Sequence, residues 1–341
     1  MFQMKYKVSV VIPVYNGEKS VARAVESVIS QKDSQSIQII LVDDGSADSS
    51  GRICDGLQNK YSNVIAFHQK NAGVSAARNL GIEKSEGEWL SFLDCDDYLI
   101  DGFFEKLLRE PVSDLPCCDF LIENKDFPLI SERISAGLYF RKDFEKFLYP
   151  LMSEHTVFYS ASNKIFRNDI VKNNSIRFPV GMKYAEDMTF VFEYVKHIDS
   201  FSFVDEKLYK YDYADTSATN TVSRSYEVFK YIYEYKSEYF KPFDSDGKIQ
   251  KKLQTEYLMN SVDAMCVASK TMRLKDAAGY IRQIVSDGIF DRKYSEQPVC
   301  FYAEGFFKLI NPLILKKKAF LIAVFVRLNE FRQKLFNKQE V

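Results

Sequence analysis

The sequence predicts an α/β fold: a mainly parallel, twisted sheet with flanking helices, followed by a helical C-terminal region. Strand-like apolar runs alternate with segments of helical periodicity through the first hundred residues. Acidic residues directly follow two of these runs, Asp43 and Asp44 after the second, Asp94 and Asp96 after the fourth. Ligands of open parallel sheets bind beyond the carboxyl ends of the strands, so these acids predict a site at that edge.

The alternation rests on residue type and spacing. The run Lys7–Pro13 is β-branched and nearly all apolar, as expected for a strand covered on both faces. Apolar residues then recur at the spacing of an amphipathic helix, at Val21, Ala24, Val25 and Val28. Further strands are predicted at 37–42, 64–67 and 89–93, and helices at about 21–30, 49–60 and 74–84. Parallel strands joined in this way imply right-handed crossovers.

The second part of the chain has a different character. Residues 111–160 carry four prolines and mixed periodicity, and they predict no particular chemistry. Residues 208–217 predict a strand and a loop. Beyond Ser225, helices are expected at 229–240, 253–268 and 274–285. We therefore predict two domains, residues 1–220 and a helical region at 221–341.

The C-terminal tail is basic. Residues 306–341 contain eight Lys or Arg and two Asp or Glu, a net charge of +6, whereas residues 1–305 carry −7. Asn311 and Pro312 predict a helix start. An apolar stripe follows at spacings of three and four, at Leu321, Val324, Leu328, Phe331 and Leu335. The apolar run Ala319–Val326 has eight residues, far below the ~20 needed to span a bilayer.

Three interpretations of residues 312–341 remain open at this point. The stripe could pack onto the helical region. It could lie on an anionic membrane surface through Lys316–Lys318 and Phe320. It could also mediate self-association, because the stripe resembles a heptad pattern.

Composition excludes several classes of protein. The acidic remainder of the chain argues against a nucleic-acid interface. Six cysteines without a Cys-x-x-Cys pair, and only three histidines, argue against structural zinc. No signal-peptide pattern precedes the first strand, so we expect a reducing, cytoplasmic location, with peripheral contact to the inner face of the membrane as an option.

The stretch Leu90–Tyr98 ends an apolar run in three acids within four positions. Asp94 and Asp96 fall on one side if the extended geometry persists, and two carboxylates suit Mg²⁺ or Mn²⁺ shared with ligand phosphates. The alternative is an ordinary acidic turn. No glycine-rich phosphate loop occurs, so a bound diphosphate would need a metal and side-chain cations, of which Arg78 is the best placed.

Four motifs follow one another in the first hundred residues: Val11–Asn16, Val42–Ser46 with Asp48, Asn71–Asn79 and Asp94–Asp97. Taken together, they resemble the family-two inverting glycosyltransferases of the GT-A fold, the nucleotide-diphospho-sugar transferase fold. A looser similarity extends to Ser162–Phe166 and Glu186–Phe190 and fades beyond about residue 215. The resemblance implies a donor half at about 1–98 and an acceptor half at about 99–220.

The resemblance also implies roles for single residues. Tyr15 would stack on the nucleotide base, Asp44 would accept a hydrogen bond from the base, and Asp43 would support that corner. The nucleotide-binding set it implies is Pro13, Tyr15, Asp43, Asp44, Asn71, Arg78, Asp94 and Cys95, the last in place of the commoner Ser or Ala. Asp96 would ligate the metal, with Asp94 reaching the ribose or the metal.

On the acceptor side, the resemblance makes Asp187 the general base, with Glu186 orienting the acceptor or the base. A helix cap is the alternative for this acidic pair, since carboxylates favour the first turn of a helix. Lys164 would lie near the acceptor, with a solvated surface lysine as the alternative.

By this resemblance the protein is a metal-dependent glycosyltransferase acting on a nucleotide sugar, most often a UDP-sugar in the family. It would form a β-glycoside on a hydroxyl of a glycan, a lipid-linked oligosaccharide or a teichoic-acid-like acceptor. Two alternatives are a nucleotidyltransferase that makes sugar nucleotides and a non-catalytic, membrane-associated scaffold that binds them.

Overall fold

The structure is a computed structural model that describes residues 5–122, 130–132, 134–154, 158–182, 184–212, 225–290 and 306–337. The chain divides into two compact units, residues 1–217 and 218–341.

The strands of the first unit are β1 (Tyr6–Val14), β2 (Ile37–Asp43), β3 (Val64–His68), β4 (Gly87–Phe92), β5 (Tyr98–Leu99), β6 (Leu115–Leu121), β7 (Gly137–Phe140), β8 (Ile165–Arg167) and β9 (Ser200–Lys210). Its helices are α1 (Val21–Ile29), α2 (Ser50–Lys60), α3 (Val74–Lys84), α4 (Phe103–Leu107), α5 (Leu148–Glu154), α6 (Asn168–Asn173) and α7 (Glu186–Val195).

The main sheet has five strands in the order β3-β2-β1-β4-β8. Strands β1 to β4 are parallel, and β8 runs antiparallel to β4. Every residue of β2 is buried, as expected for a strand covered on both faces. A second sheet has the order β5-β9-β6, and β7 also pairs with β9. The predicted α/β class with a mainly parallel sheet is therefore confirmed.

Helix α3 packs directly on β1, and a glycine makes this possible. A Cβ atom at Gly81 would lie 2.2 Å from Cγ1 of Val11, which is inside any tolerable contact distance. The helix can approach this closely only because position 81 has no side chain. The approach fixes the position of Arg78, one turn earlier on the same helix, relative to the end of the sheet.

The second unit is helical, with α8 (Tyr226–Phe240), α9 (Lys248–Thr271), α10 (Leu274–Val285), α11 (Phe306–Leu315) and α12 (Ala319–Asn337). Buried side chains of these helices form one apolar core, among them Tyr257, Val262, Ile281 and Ile322. The helices predicted at 229–240, 253–268 and 274–285 are present, the first two with earlier starts. The loop predicted at the end of 208–217 lies partly outside the described residues.

The tail departs from the sequence-based expectation in two ways. Pro312 lies inside α11 instead of starting a helix, because Ile310 and Ile314 on the same helix face are both buried in the core and hold it. Helix α12 buries a different face from the predicted stripe. Its buried residues are Ala319, Ile322, Ala323 and Val326, whereas Leu321, Leu328 and Phe331 of the stripe are exposed. The side chain of Leu335 is outside the described residues.

Candidate active site

The loops that follow β1 and β2 are joined by hydrogen bonds at the carboxyl edge of the sheet. The amide of Asn16 donates to Oγ of Ser46 (3.0 Å), and the amide of Ala47 donates to Oδ1 of Asn16 (2.9 Å). Tyr15, which directly precedes Asn16, has 54% of its surface exposed. Pro13, two residues earlier, is buried in β1. The predicted stacking residue is therefore an open aromatic ring on a fixed loop.

Asp44 holds the loop that precedes α3. Its Oδ1 accepts hydrogen bonds from Nε2 of Gln69 (2.7 Å) and the amide of Ala72 (2.8 Å), and its Oδ2 accepts from the amide of Gly73 (2.8 Å). Asp44 is only 3% exposed, whereas Asn71 on the held loop is exposed. Asp44 therefore stabilises the loop before α3, a structural role that the sequence did not predict. Whether Asp44 also accepts a hydrogen bond from a nucleotide base stays a prediction.

Asp43, the residue before Asp44, makes hydrogen bonds to the loop after β2 and to the end of β3. Its Oδ1 accepts from the amide of Ser46 (3.1 Å), and its Oδ2 lies 3.0 Å from Nδ1 of His68, whose Nε2 lies 2.9 Å from Oδ1 of Asp55. Burial acts to raise the pKa of Asp43, but the hydrogen bonds from Ser46 and His68 outweigh it and lower that pKa. Asp43 is therefore held as a carboxylate at the end of β2, and its support of a bound nucleotide stays a prediction.

The acidic turn after β4 places its three carboxyl groups in different surroundings. Asp94 is partly exposed and Asp96 is exposed, whereas Asp97 is 1% exposed. Asp97 accepts hydrogen bonds from the Tyr209 hydroxyl (2.8 Å) and the Asp212 amide (2.9 Å). Asp97 thus anchors the end of β9, while Asp94 and Asp96 are left at the surface of the site.

Arg78 connects this turn to the predicted base. Its Nη2 donates to Oδ1 of Asp94 (2.7 Å), and its Nη1 donates to Oδ1 of Asp187 (2.6 Å), with Oε1 of Glu186 at 3.5 Å. Arg78 is 4% exposed, and its guanidinium lies 5.2 Å from the ring centre of Phe178. Burial acts to lower the pKa of Arg78, but the three carboxylates outweigh it and raise that pKa further. Its charge is already compensated within the protein, so contact with a diphosphate stays a prediction.

Asp187 lies in the first turn of α7, after Ala185 in the left-handed region (φ 62°). Its Oδ2 accepts from the amide of Ala161 (3.1 Å), and 21% of its side chain is exposed. Burial raises the pKa of Asp187, with Arg78 opposing the rise. Burial also raises the pKa of Glu186, and the charge of Asp187 adds to the rise. A held, partly accessible carboxylate with a raised pKa would suit a general base, a role that stays a prediction for Asp187.

Lys164 is fully buried, so the alternative of a solvated surface lysine is wrong. Its Nζ donates to the carbonyl of Ser160 (2.7 Å) and to Oδ1 of Asn163 (2.5 Å). Burial lowers the pKa of Lys164 to about 8, although nearby thiols and Asp187 act in the opposite direction. Lys164 holds the segment whose residue Ala161 contacts the predicted base.

The donor set of the acidic turn fits a hard divalent cation shared with a substrate. Asp94 and Asp96 offer carboxylate oxygens at the surface, and Mg²⁺ is typically held by one or two carboxylates together with phosphates. Within the described residues, no group of three or more His, Cys, Asp or Glu is arranged to hold a metal alone. Burial raises the pKa of Cys95 to about 12, so this thiol is a small neutral residue between the acids.

Arg23 and Asp212 form a further ion pair at the site that the sequence did not predict. Nη2 of Arg23 donates to Oδ2 of Asp212 (2.8 Å) and to the carbonyl of Asp96 (2.5 Å), and its guanidinium lies 4.9 Å from the ring centre of Tyr98. The only signal in the sequence is an arginine outside the apolar stripe of α1, which is also typical of a solvated face.

Residues 9–174 match the model of the family described as glycosyl transferase family 2. This segment belongs to that family. The chain is accordingly a glycosyltransferase, and the predicted resemblance is confirmed. Every predicted site residue except Glu186 and Asp187 lies inside the matched segment.

The chain is 28% identical over 297 residues to the putative glycosyltransferase EpsH of Bacillus subtilis, covering 85% of this chain and 86% of that protein. It is 28% identical over 264 residues to the poly(ribitol-phosphate) beta-N-acetylglucosaminyltransferase TarP of Staphylococcus aureus, covering 74% and 78%. Other curated relatives are matched over 23% to 65% of their length.

Among solved structures, S. aureus TarS 1-349 in complex with UDP-GlcNAc superposes with a TM-score of 0.64 at 20% identity, covering 96% of this chain and 92% of that one. This likeness shows the GT-A fold. Among the described residues, none of the helices is both long enough and apolar enough to cross a bilayer.

Proposed function

We propose that this glycosyltransferase moves a sugar from a UDP-sugar to a hydroxyl group of a cell-envelope polymer, with a teichoic-acid-like chain as the favoured acceptor class. TarP, by its name, glycosylates poly(ribitol-phosphate), and TarS was solved with UDP-GlcNAc. The relatives support the donor and acceptor classes, and the site geometry supports the reaction.

The observation that carries the proposal is the pairing of one guanidinium with Asp94 and Asp187. It joins the acidic turn proposed for the donor to the carboxylate proposed for the acceptor. Asp187 removes the proton of the acceptor hydroxyl, and the hydroxyl oxygen forms a bond to the anomeric carbon. The bond from that carbon to the diphosphate breaks, and its electron pair leaves with UDP. One displacement of this kind inverts an α-linked donor into a β-glycoside.

The donor would lie at the carboxyl edge of the sheet. Tyr15 stacks on the base, and Asp44 and Asn71 border it, supported by Pro13 and Asp43. Asp94 and Asp96 would hold Mg²⁺ or Mn²⁺, which when bound neutralises charge that develops on the leaving diphosphate. Arg78 keeps Asp187 in place, and Glu186 orients the acceptor or the base. No observation favours a nucleotidyltransferase or a non-catalytic scaffold.

The test is a screen of UDP-sugars with poly(ribitol phosphate) and other envelope polymers, with release of UDP as the readout. We expect release with at least one donor, and a β-linkage by NMR of the product. An α-linked product would overturn inversion alone. Absence of transfer to every polymer, with only water accepting the sugar, would overturn the acceptor class.

The metal is tested separately. We expect a chelator to abolish UDP release, and Asp96→Ala to abolish it even with Mn²⁺ present. Asp101→Ala is the matched control, because Asp101 is an exposed acid five positions further along the chain. Full activity in chelator would remove the metal from the proposal and leave the transferase reaction in place.

The cytoplasmic location also stays a proposal. Contact with the inner face of the membrane would require a suitable surface on the helical unit.

A further inference from the structure

Helix α12 is apolar on two opposite sides. On the inner side, Ala319, Ile322, Ala323 and Val326 are at most 4% exposed and pack into the core of the helical unit. At about 100° of rotation per residue, these four positions share one side of the helix.

The other side carries large apolar residues that the fold leaves uncovered. We define the outer face of α12 by Phe320, Leu321, Phe325, Leu328 and Phe331, which are 38% to 64% exposed. By the same rotation they centre opposite the buried side. Of the twelve most exposed large apolar residues in the described chain, six lie between 315 and 331. Such clustering marks an interaction surface, since isolated exposed apolar residues are ordinary.

A basic turn stands at the start of this face. Lys316–Lys318 connect α11 to α12, and all three are exposed. The amides of Lys317 and Lys318 donate to the carbonyls of Ile314 and Leu313, both at 2.8 Å, and Lys317 lies in the left-handed region (φ 51°). These bonds fix the turn that directly precedes Phe320 and Leu321 in the chain.

We propose that the outer face of α12 lies in the interface of an anionic lipid bilayer. Its apolar side chains lie below the lipid headgroups, and Lys316–Lys318 lie at the level of the headgroups. A helix with Phe and Leu on one face and lysines at the margin is suited to this position. The helix lies along the surface and does not cross it. The proposal does not depend on the transfer reaction.

Charge favours a bilayer over a second copy of the chain. Between residues 312 and 331 the basic residues are Lys316–Lys318 and Arg327, and the single acid is Glu330. Paired helices usually select each other through opposite charges at the margins of an apolar seam. A second copy offers this face mostly lysines, whereas anionic headgroups offer the complementary charge.

The test uses the full chain with vesicles of phosphatidylcholine containing about one third phosphatidylglycerol, against vesicles of phosphatidylcholine alone. We expect flotation with the anionic vesicles, weakening as salt is added. Leu328→Ser with Phe331→Ser should reduce the partition coefficient at least ~10-fold, because both side chains insert in the bound state. Lys316→Gln with Lys318→Gln should reduce it roughly fivefold per lysine.

Phe140→Ser is the matched control, since Phe140 is 50% exposed but lies on β7 of the first unit, and it should float like the wild type. Thermal melting checks that each variant is folded. If the serine pair lowers the melting temperature, the exposed lysine pair still decides the matter.

Unchanged binding by the lysine pair would overturn the proposal, as would equal binding to both vesicle types. A concentration-dependent dimer that the serine pair abolishes, without vesicle binding by the wild type, would overturn it in favour of a second copy.

Discussion

Nη1 of Arg78 lies 2.6 Å from Oδ1 of Asp187, and the same guanidinium holds Asp94 through Nη2. One buried cation therefore sets the positions of a carboxylate from the acidic turn after β4 and of a carboxylate from the start of α7. Either group could shift only by breaking a charge-assisted hydrogen bond, the strong kind in proteins.

The first prediction concerns Asp187 as general base. General-base assistance typically contributes 10²–10⁴-fold, so Asp187→Asn should lower turnover by about that factor, or ~3–5 kcal/mol of barrier. Donor affinity measured by calorimetry should barely change, because the amide keeps the size of the side chain. A helix-cap role predicts instead a small stability loss with turnover preserved. If Glu186→Gln destroys turnover while Asp187→Asn does not, the base is the other member of the pair.

The second prediction concerns the stability contribution of Arg78. Arg78→Gln leaves Asp94, Glu186 and Asp187 without their shared cation, and breaking a buried ion pair typically costs ~3–5 kcal/mol of unfolding free energy. Denaturant unfolding measures the loss. Lys84→Gln is the control on the same helix, since Lys84 is partly exposed and should change stability by no more than ~0.5 kcal/mol. Equal losses in both variants would contradict the role of Arg78.

The third prediction separates Tyr15 from Asp44. Tyr15→Ala should weaken binding of UDP by ~1–3 kcal/mol, as for loss of base stacking, without lowering the melting temperature of this exposed residue. Asp44→Ala should weaken UDP binding and also lower the melting temperature, because the amides of Ala72 and Gly73 lose their carboxylate acceptor, at roughly 1.5–3 kcal/mol for hydrogen bonds to a charged group. Calorimetry and thermal melting on both variants give the four values. Lower stability with unchanged affinity in Asp44→Ala would remove Asp44 from base recognition.

The fourth prediction is a pH dependence from His68. Hydrogen bonds to Asp43 and then to Asp55 raise the pKa of His68 above its usual 6.5. The protonated ring therefore stabilises the folded state fully below pH ~6.5, and this contribution is lost as pH rises through the raised pKa. His68→Gln should lower stability more at pH 5.5 than at pH 9, by under ~1 kcal/mol, because the ring is 44% exposed. Asp55→Asn should reduce the same pH dependence. A stability difference between the wild type and His68→Gln that does not change with pH would contradict this role of His68.

The sheet edge could be predicted because its signals are local. β-branched runs mark the strands, and Asp43, Asp44, Asp94 and Asp96 follow them directly, so parallel topology alone places these residues at one edge. The pairing of Arg78 with Asp187 could not be predicted, since these residues are separated by 109 positions and meet only through the packing of α3 and α7. The burial of Lys164 could not be predicted either. Its Nζ donates to the backbone carbonyl of Ser160, and such a contact depends on the fold of the backbone and not on residue type.

Helix α12 shows that the spacing of apolar residues does not always reveal which face of a helix is buried. A stripe at Leu321, Leu328 and Phe331 predicts a helix face correctly, but a helix that is apolar on two sides gives no sign of which side faces inward. The small residues Ala319 and Ala323 turned out to face the core, where close approach of helices favours them.

The hydrogen bonds of Asp44 have a consequence for exchanging the loops at this edge of the sheet with those of another transferase. Asp44, in the segment after β2, accepts hydrogen bonds from the amides of Ala72 and Gly73, in the segment before α3. The two segments therefore depend on each other and should be exchanged together. In a chimera that takes residues 43–46 from another transferase but keeps residues 69–73 of this chain, the imported segment would have to form these hydrogen bonds with a loop from a different protein. Grafts intended to alter nucleotide selectivity should therefore carry both segments together, with Gly45 included, whose Cβ would lie 2.7 Å from the amide nitrogen of Asn71.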